Sequence, residues 1–429
     1  MKSFSNLVHN RSLIIIAASE SVSNIGNWIT MMAVFAMIVF KGGGGVAQSS
    51  GVFLAGLIPT LVMSPFAGWL LDRFDRKQLM ILSELFSGLI ILGLVFTTNL
   101  VLIYAILALQ AVSISIMSPA RQAVVPDLVE REELTRANAF FQQLAGIIKI
   151  GAPMLAGLIL AVINPHIAVI LDVISFGLSA LILSRLPALL PHKEEYMVEA
   201  PGLEDADDFQ ASGPARAHIK LTELLKDAPR LRLLFSITFL VIMVIVAFDV
   251  LAPVYVKNIL SGGEELFGTL VGLIGLGTLA ASVVLMLRRG EQNPWRDVIL
   301  GGICLAFVPG SMAVAGSVSN PTLALSLTLF GCLVGGFGNG LVVVQAFTLL
   351  QLLTPSGLLG RISGVFQSTA VAGQLVGIVL TPVLVPAIFS MPTYFMLATV
   401  ALLLVFLYTS LVIKKPVDSL ETSIQASGD

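Results

Sequence analysis

Charge is scarce in this 429-residue chain: Asp, Glu, Lys and Arg make up 12% of the residues, whereas 56% are hydrophobic. A soluble protein of this size needs more charge to cover its surface, and its core could not bury so much apolar length. The composition therefore excludes a soluble globular protein and indicates a membrane protein with many helical spans. The net charge of −2 identifies no partner, because membrane proteins sort their charges by membrane side.

Cysteine and histidine are also scarce. Cys304 and Cys332 lie inside apolar runs, which excludes a disulfide framework. The four histidines lack metal-ligand spacing; they are His9, His166, His192 and His218. The glycine run 42–45 lacks the Lys and Ser or Thr that follow in a phosphate-binding loop. We therefore expect that the protein is not an enzyme and that it has no cofactor, no metal site and no nucleic-acid partner.

Apolar stretches long enough to cross a bilayer recur along the whole chain. Twelve are predicted, approximately at 12–40, 50–71, 78–97, 100–119, 138–163, 166–186, 231–257, 266–287, 297–316, 322–352, 362–389 and 392–413. The first is long enough to span and has no clean cleavage site after it, so we expect it to stay in the membrane. The sequence thus predicts an all-α polytopic membrane protein with twelve transmembrane helices in the lipid bilayer.

Basic residues are distributed unequally between the two predicted sides. Of the 24 Lys and Arg residues, all but Lys41, Lys149 and Lys257 fall in the termini and the even-numbered loops. Because cytoplasmic loops of membrane proteins carry an excess of Lys and Arg, both termini are predicted to be cytoplasmic.

The two halves of the chain resemble each other. The segments that enter spans five and eleven share an Arg and a Gln at the same interval, Arg136 with Arg361 and Gln142 with Gln367. Two pseudo-symmetric bundles of six helices are therefore expected, with a binding site between them at the midplane. The predicted boundaries are an N-terminal bundle at 1–186, a cytoplasmic linker at 187–230, a C-terminal bundle at 231–416 and a cytoplasmic tail at 417–429. The linker ends either in an amphipathic surface helix or in a plain solvated segment.

A decapeptide between spans two and three, Gly68 to Lys77, resembles the loop signature Gly-x-x-x-Asp-Arg-x-Gly-Arg-Lys of the major facilitator superfamily. Only Asp75 departs from it, where the family has Gly. The resemblance implies the major facilitator fold, usually sufficient as a monomer, and a latch at the cytoplasmic end. The latch residues it implies are Gly68, Asp72, Arg73, Arg76, Glu84 and Arg121.

Other segments resemble the branch that contains macrolide-efflux proteins and enterobactin exporters: residues 23–28, 118–121 and 134–142. Span five is similar to the antiporter motif of exporters through Gly146, Gly151, Pro153 and Gly157. Such glycines let helices approach closely, and a proline loosens the helix; ordinary small-residue packing is the alternative. Many proton-coupled exporters carry an Arg in the middle of span four. Here that region contains Gln110, so coupling through such an Arg is not assumed.

Charged side chains inside spans need a reason, because they are costly in hydrocarbon. In span one, Glu20, Ser23, Asn24 and Asn27 share one helical face, which predicts a polar stripe toward a water-filled cavity. In span five, Lys149 is a buried cation, and Glu20 is its expected partner. That pair is either structural or a switch at which a proton or a charged substrate competes.

Asp249 in span seven is the candidate for a proton-binding carboxylate of the second half, and Asp172 in span six is interpreted as structural. Neutral hydrogen bonds, either to a ligand or between helices, are expected from Gln110, Asn339, Gln345 and Gln374.

These features together predict a secondary transporter of the cell membrane, in bacteria the inner membrane. It exports an amphiphilic small organic compound, drug-like, macrolide-like or siderophore-like, by alternating access in exchange for protons. The alternatives are a symporter or a lipid or lysolipid facilitator on the same fold and, more remotely, a non-transporting receptor.

Overall fold

The computed structural model describes residues 10–71, 73–129, 134–187, 228–288, 293–354 and 359–413. Within these ranges the regular structure is helical and contains no strand. The helices of the first half are α1 (Arg11–Phe35), α2 (Val46–Leu71), α3 (Arg76–Leu92), α4 (Leu100–Ile114), α5 (Met117–Leu128), α6 (Leu134–Val162) and α7 (Pro165–Ser184). Those of the second half are α8 (Pro229–Asn258), α9 (Glu264–Leu287), α10 (Pro294–Leu305), α11 (Phe307–Ala315), α12 (Pro321–Leu353), α13 (Leu359–Leu384) and α14 (Met391–Ile413). A π-helical turn, Ala36–Lys41, extends α1, and a 3₁₀ turn, Gly93–Phe96, extends α3.

Asparagine begins many of these helices by accepting hydrogen bonds from the first free backbone N–H groups. Such caps are Asn10, Asn99, Asn164, Asn293 and Asn320. In α7, α10 and α12 the cap is followed directly by proline. Proline suits the first helical position, where its missing N–H costs nothing. The Asn-Pro pairs therefore fix where these spans begin.

Prolines also explain where two predicted spans are interrupted. The fourth span was expected at 100–119, but α4 ends at Ile114 and α5 begins at Met117. Pro119 has no N–H to donate to the carbonyl of Ser115, four residues before it. In the ninth span, Pro309 withdraws the corresponding bond from Leu305, and α10 ends at that residue. Each break thus lies one helical turn before a proline.

Among the described residues, eleven helical stretches are long and apolar enough to cross a membrane. The exception to the twelve expected spans is the fourth, because α4 has only 15 residues. Large apolar side chains on the outer helix faces are exposed, for example Leu109, Leu158, Ile174 and Leu404. In water such a surface would be unfavourable, and in lipid it is the expected one. The prediction of an all-α polytopic membrane protein is confirmed.

The buried core is divided in a way that reveals the arrangement of the halves. At the end away from the chain termini, both halves contribute to one apolar cluster, in which the rings of Phe35 and Phe267 meet edge to face with centroids 5.5 Å apart. At the terminal end each half has its own cluster, one around Leu79 and Leu183 and one around Leu231. The halves are therefore joined at one end and have separate cores at the other.

Polar contacts between the halves reinforce the joined end. Ser49 on α2 donates its hydroxyl to the backbone carbonyl of Val250 on α8, at 2.6 Å. The ammonium group of Lys257 donates to the carbonyl of Val39, at 2.5 Å. Both bonds connect the first half with the second, so this end is closed by direct hydrogen bonds as well as by apolar packing.

The predicted linker at 187–230 lies almost entirely outside the described residues, as does the predicted tail at 417–429. The domain boundaries remain predictions.

Candidate functional site

A cavity of about 950 Å³ lies between the two halves, next to the shared core. Helices of both halves line it, and most lining atoms are apolar. Its aromatic residues are Trp28, Phe53, Phe248, Phe267, Phe347, Tyr394 and Phe395. Toward the terminal end, the lining residues Ile147 and Met286 are exposed. This size, apolarity and position between two bundles suit an amphiphilic organic molecule.

Among the described residues of this lining, Lys149 on α6 and Asp249 on α8 are charged. Lys149 is exposed to the cavity, and Asp249 is partly buried. The positive charge of Lys149 acts electrostatically on the Asp249 carboxylate. One charge comes from each half, so the pair spans the interface between the halves. The predicted partner of Lys149, Glu20, was wrong.

Each of these two charged residues stands four positions before a proline inside its helix, Pro153 in α6 and Pro253 in α8. A proline cannot donate the backbone hydrogen bond that the carbonyl four residues earlier would accept. The carbonyls of Lys149 and Asp249 therefore lack their usual helical partner. Both helices therefore lack one backbone hydrogen bond at the positions of these two charges.

Glu20 pairs instead with Arg121 on α5. The Arg121 Nε lies 2.8 Å from the Glu20 Oε1, and the guanidinium lies 4.9 Å from the ring centre of Phe141. Arg121 had been predicted as part of the cytoplasmic latch. Helix α5 brings it inward to α1, so it neutralises the carboxylate of the first span. Neither Glu20 nor Arg121 lines the described cavity.

The predicted polar stripe of α1 forms contacts between helices at Asn27 and a contact within α1 at Asn24. Asn27 accepts a hydrogen bond from the Gln110 side chain of α4, at 3.0 Å. Asn24 donates to the backbone carbonyl of Glu20, at 2.7 Å. The next residue after the stripe, Trp28, does line the cavity. Of the two roles considered for Gln110, the structure shows the cross-helix bond.

Neutral polar residues of the second half have different positions. Asn339 lines the cavity, donates to the Thr278 hydroxyl at 3.3 Å, and has a side-chain oxygen without a hydrogen-bond partner among the described residues. Gln374 is half-buried in α13 and is outside the lining. Gln345 was a candidate cavity residue, but it is buried and donates to Asp297 at 2.9 Å. The cavity role of Gln345 is therefore corrected to a structural one.

The Gln345 contact belongs to a cluster that sequence reasoning missed. Arg288, just after α9, donates to the other carboxylate oxygen of Asp297, at 2.7 Å. This cluster occupies the connection between the second and third spans of its half, the place that Gly68 to Lys77 occupies in the first. The signal was present as an acid in the first turn of span nine. It identifies a charged anchor at the terminal end of the second half.

The motif between spans two and three is partly described. Gly68 lies in α2, Arg73 in the turn after it, and Arg76 begins α3. Asp72 lies outside the described residues, so the latch remains a prediction. Asp75, the departure from the family signature, caps α3: its carboxylate accepts from the backbone N–H of Lys77 at 2.8 Å and from that of Gln78 at 3.4 Å. The acid thus has a local role in starting the helix.

Replacing Asp75 by Ala should lower the free energy of unfolding by about 0.5–2 kcal/mol, the usual cost of a lost helix cap. Asn accepts the same bonds, so Asp75→Asn should retain most of the stability. Thermal unfolding of the purified variants in one detergent measures the difference. Equal losses in both variants would show that the charge of Asp75, rather than its cap, is what matters.

The antiporter-type motif divides into two parts. A Cβ added to Gly157 would lie 3.2 Å from the Cα of Gly268 on α9, and at Gly146 and Gly151 it would meet nothing within 4 Å. Gly157 therefore lies where α6 and α9 approach closely, whereas Gly146 and Gly151 face open space. Gly146 instead lines the cavity. Pro153 lies between Gly146, which lines the cavity, and Gly157, which packs against α9.

Two buried acids of the first half lie away from the cavity. Asp172 on α7 is fully buried and accepts from the hydroxyls of Thr30 at 2.6 Å and Ser175 at 2.9 Å. These bonds agree with its structural interpretation. Glu84 on α3 was expected to pair with the arginines of the latch. Glu84 is buried, and the hydroxyls of Ser23 on α1 and Ser179 on α7 act on its carboxyl; its pairing with the latch arginines stays a prediction.

A family comparison now agrees with this geometry. The model of the Major Facilitator Superfamily matches residues 16–377, most of the chain. The chain belongs to the major facilitator superfamily. The apolar spans, the two halves and the cavity between them are what such a transporter requires.

Relatives with known names are similar over different lengths. An uncharacterized MFS-type transporter, YfiS of Bacillus subtilis, is 25% identical over 86% of this chain and 85% of its own. The multidrug efflux pump Tap of Mycolicibacterium fortuitum is 26% identical over 91% of this chain and 93% of its own. Macrolide efflux protein A of Streptococcus pyogenes is 29% identical over 40% of this chain and 44% of its own. The predicted resemblance to an efflux branch is confirmed.

Among solved structures, the nucleoside transporter NupG is similar, with a TM-score of 0.69 over 93% of this chain and 99% of that one. The sequence identity of 12% makes this a likeness of fold alone.

Proposed function

We propose that this transporter exports amphiphilic organic compounds in exchange for protons, with Lys149 and Asp249 as the coupled pair. The observation that carries the proposal is the placement of one cation and one carboxylate, from opposite halves, in an otherwise mostly apolar cavity. The efflux relatives support the direction of transport. The termini lie at the end where the halves have separate cores, and the predicted cytoplasmic position of the termini makes this an inward-facing arrangement.

In the proposed cycle, cargo enters from the cytoplasm and places its apolar body against the aromatic residues of the cavity. A polar or charged group of the cargo competes for Lys149 or Asp249. The closed end then opens, cargo leaves, and an external proton binds Asp249. With the carboxyl neutral, the attraction to Lys149 is lost, and the transporter returns to release the proton inside.

The cargo class follows from the balance of the lining. Apolar and aromatic groups bind many shapes with little selectivity, and Met31, Met32 and Met286 add adaptable surface. The opposite charges of Lys149 and Asp249 accept a cationic, anionic or zwitterionic group. We therefore propose several related amphiphiles, rather than one small polar metabolite, as cargo.

Proteoliposomes with a lumen more acidic than the bath test the proposal. Their cargo panel should share one apolar body and differ in head group: cationic, anionic, zwitterionic or neutral. We expect accumulation of at least one charged member, abolished by a protonophore. Lysolipid movement without gradient dependence would favour a facilitator, and binding without flux would favour a receptor; either result would contradict exchange.

A further inference from the structure

A second acidic site lies inside the first bundle, apart from the cavity. Glu84 on α3 is 3% exposed. The hydroxyls of Ser23 on α1 and Ser179 on α7 act on its carboxyl. The Ser179 hydroxyl lies 2.6 Å from that of Ser19, so α1 and α7 are joined beside the carboxyl. Glu84 is therefore enclosed by three helices of one bundle.

The hydrogen bonding of Glu84 is incomplete. Its Oε2 is buried and has no hydrogen-bond partner among the described residues. Ser87, one turn further along α3, has a buried hydroxyl in the same condition. A carboxylate can only accept hydrogen bonds, whereas a protonated carboxyl gains a donor. A proton on the unpartnered Oε2 would therefore give Glu84 a hydrogen-bond donor that the carboxylate lacks.

The charges around Glu84 also favour a bound proton. Asp172 on α7 and Glu20 on α1 both act on it as like charges. Glu20 is itself paired with Arg121 on α5, at 2.8 Å. An ionised carboxylate that is buried beside other carboxylates is costly, and neutralisation removes the cost.

A metal ion fits this site less well. No group of three His, Cys, Asp or Glu side chains in the described part of the chain could hold a metal ion. Asp172 also has its own hydroxyl donor on each oxygen, from Thr30 and Ser175. The carboxyl of Glu84 and the hydroxyls around it suit the smallest cation, a proton.

We infer that Glu84, with Ser23 and Ser179, forms a proton-binding site within the first six-helix bundle, separate from the cargo cavity. The step is simple: a proton joins the Glu84 carboxylate and makes it a neutral acid, and no other bond forms or breaks. Glu20 acts electrostatically on Glu84 and is also paired with Arg121, so a proton on Glu84 changes the charge that this ion pair faces. The role of this site in transport rests on the proton exchange proposed above. Proton binding itself can be measured without transport.

Infrared difference spectroscopy on the full-length purified protein in lipid nanodiscs tests the site, because a protonated carboxyl has a C=O stretch distinct from that of a carboxylate. At neutral pH we expect a protonated-carboxyl band that is lost in Glu84→Gln and kept in Asp172→Asn. The second variant is the matched control, since Asp172 is equally buried in the same bundle. Absence of the band in the wild type, or its persistence in folded Glu84→Gln, would overturn the inference.

Should Glu84→Gln fail to fold, Ser179→Ala provides the second measurement. It removes a hydroxyl beside Glu84, so the band should change frequency, whereas Ser175→Ala, beside Asp172, should leave it in place. A band that responds to Ser175→Ala alone would assign the proton to Asp172 and overturn the inference. If the infrared band behaves as expected but the protein shows no proton-driven cargo flux, the proposed exchange is refuted. The proton-binding site at Glu84 is then still supported.

Discussion

Asp249→Asn should reduce export driven by a pH gradient by about tenfold or more, a factor that corresponds to ~1.4 kcal/mol. The amide has nearly the shape of the acid, but it neither binds the proton nor carries the charge that faces Lys149. Cargo binding at equilibrium should change much less than transport. Initial rates of cargo uptake with and without an imposed gradient measure this split.

Two further variants make the Asp249 result specific. Lys149→Gln places in the first half the residue that the second half has at the matching position, Gln374. Combined with Asp249→Asn it gives a double-mutant cycle, in which a coupled pair shows a non-additive loss. Asn339→Leu is the cavity control, because it alters a neutral group and should affect affinity without removing gradient dependence. Full gradient-driven export by Asp249→Asn would exclude Asp249 from coupling.

Gly268→Ala should destabilise the closed end of the molecule and increase the population in which that end is open. The added Cβ would lie 2.6 Å from the carbonyl oxygen of Pro153 and 3.0 Å from the Cα of Gly157. Because these are backbone atoms, α6 and α9 must separate. Overpacking of this kind costs about 1–3 kcal/mol, and such a cost shifts a two-state equilibrium by roughly 5- to 150-fold.

Spin labels at Thr98 and Ser319, exposed loop positions of the two halves, can report this change in a background without Cys304 and Cys332. Electron–electron distance measurements should show a larger long-distance fraction in Gly268→Ala. Gly151→Ala is the matched control, since its Cβ would meet nothing within 4 Å. Identical distance distributions in wild type and Gly268→Ala would contradict the assignment of this contact as the closing interface.

The fold was largely predictable because its signals are long or local. Spans are recognised from about 20 apolar residues each, and the decapeptide Gly68 to Lys77 identified the family. The interruptions of spans four and nine were missed, although Pro119 and Pro309 were visible. A proline in a membrane helix can be tolerated or can end the helix, and the neighbouring helices decide which.

The candidate site was predicted less well, since helical spacing defines a face but not what that face meets. Lys149 and Asp249 were both selected, yet Lys149 was paired with Glu20. Nothing in the sequence revealed that α5 places Arg121 beside Glu20. The sequence showed Asp75 as a departure from the family signature, and only the backbone geometry shows that it caps α3.

The most direct test of the account is simultaneous recording of cargo and proton movement in proteoliposomes containing the wild-type protein and no other energy source. A cargo gradient should move protons in the direction opposite to the cargo, and Asp249→Asn should remove the proton signal. Proton movement in the same direction as the cargo, or cargo movement without any proton signal, would contradict it.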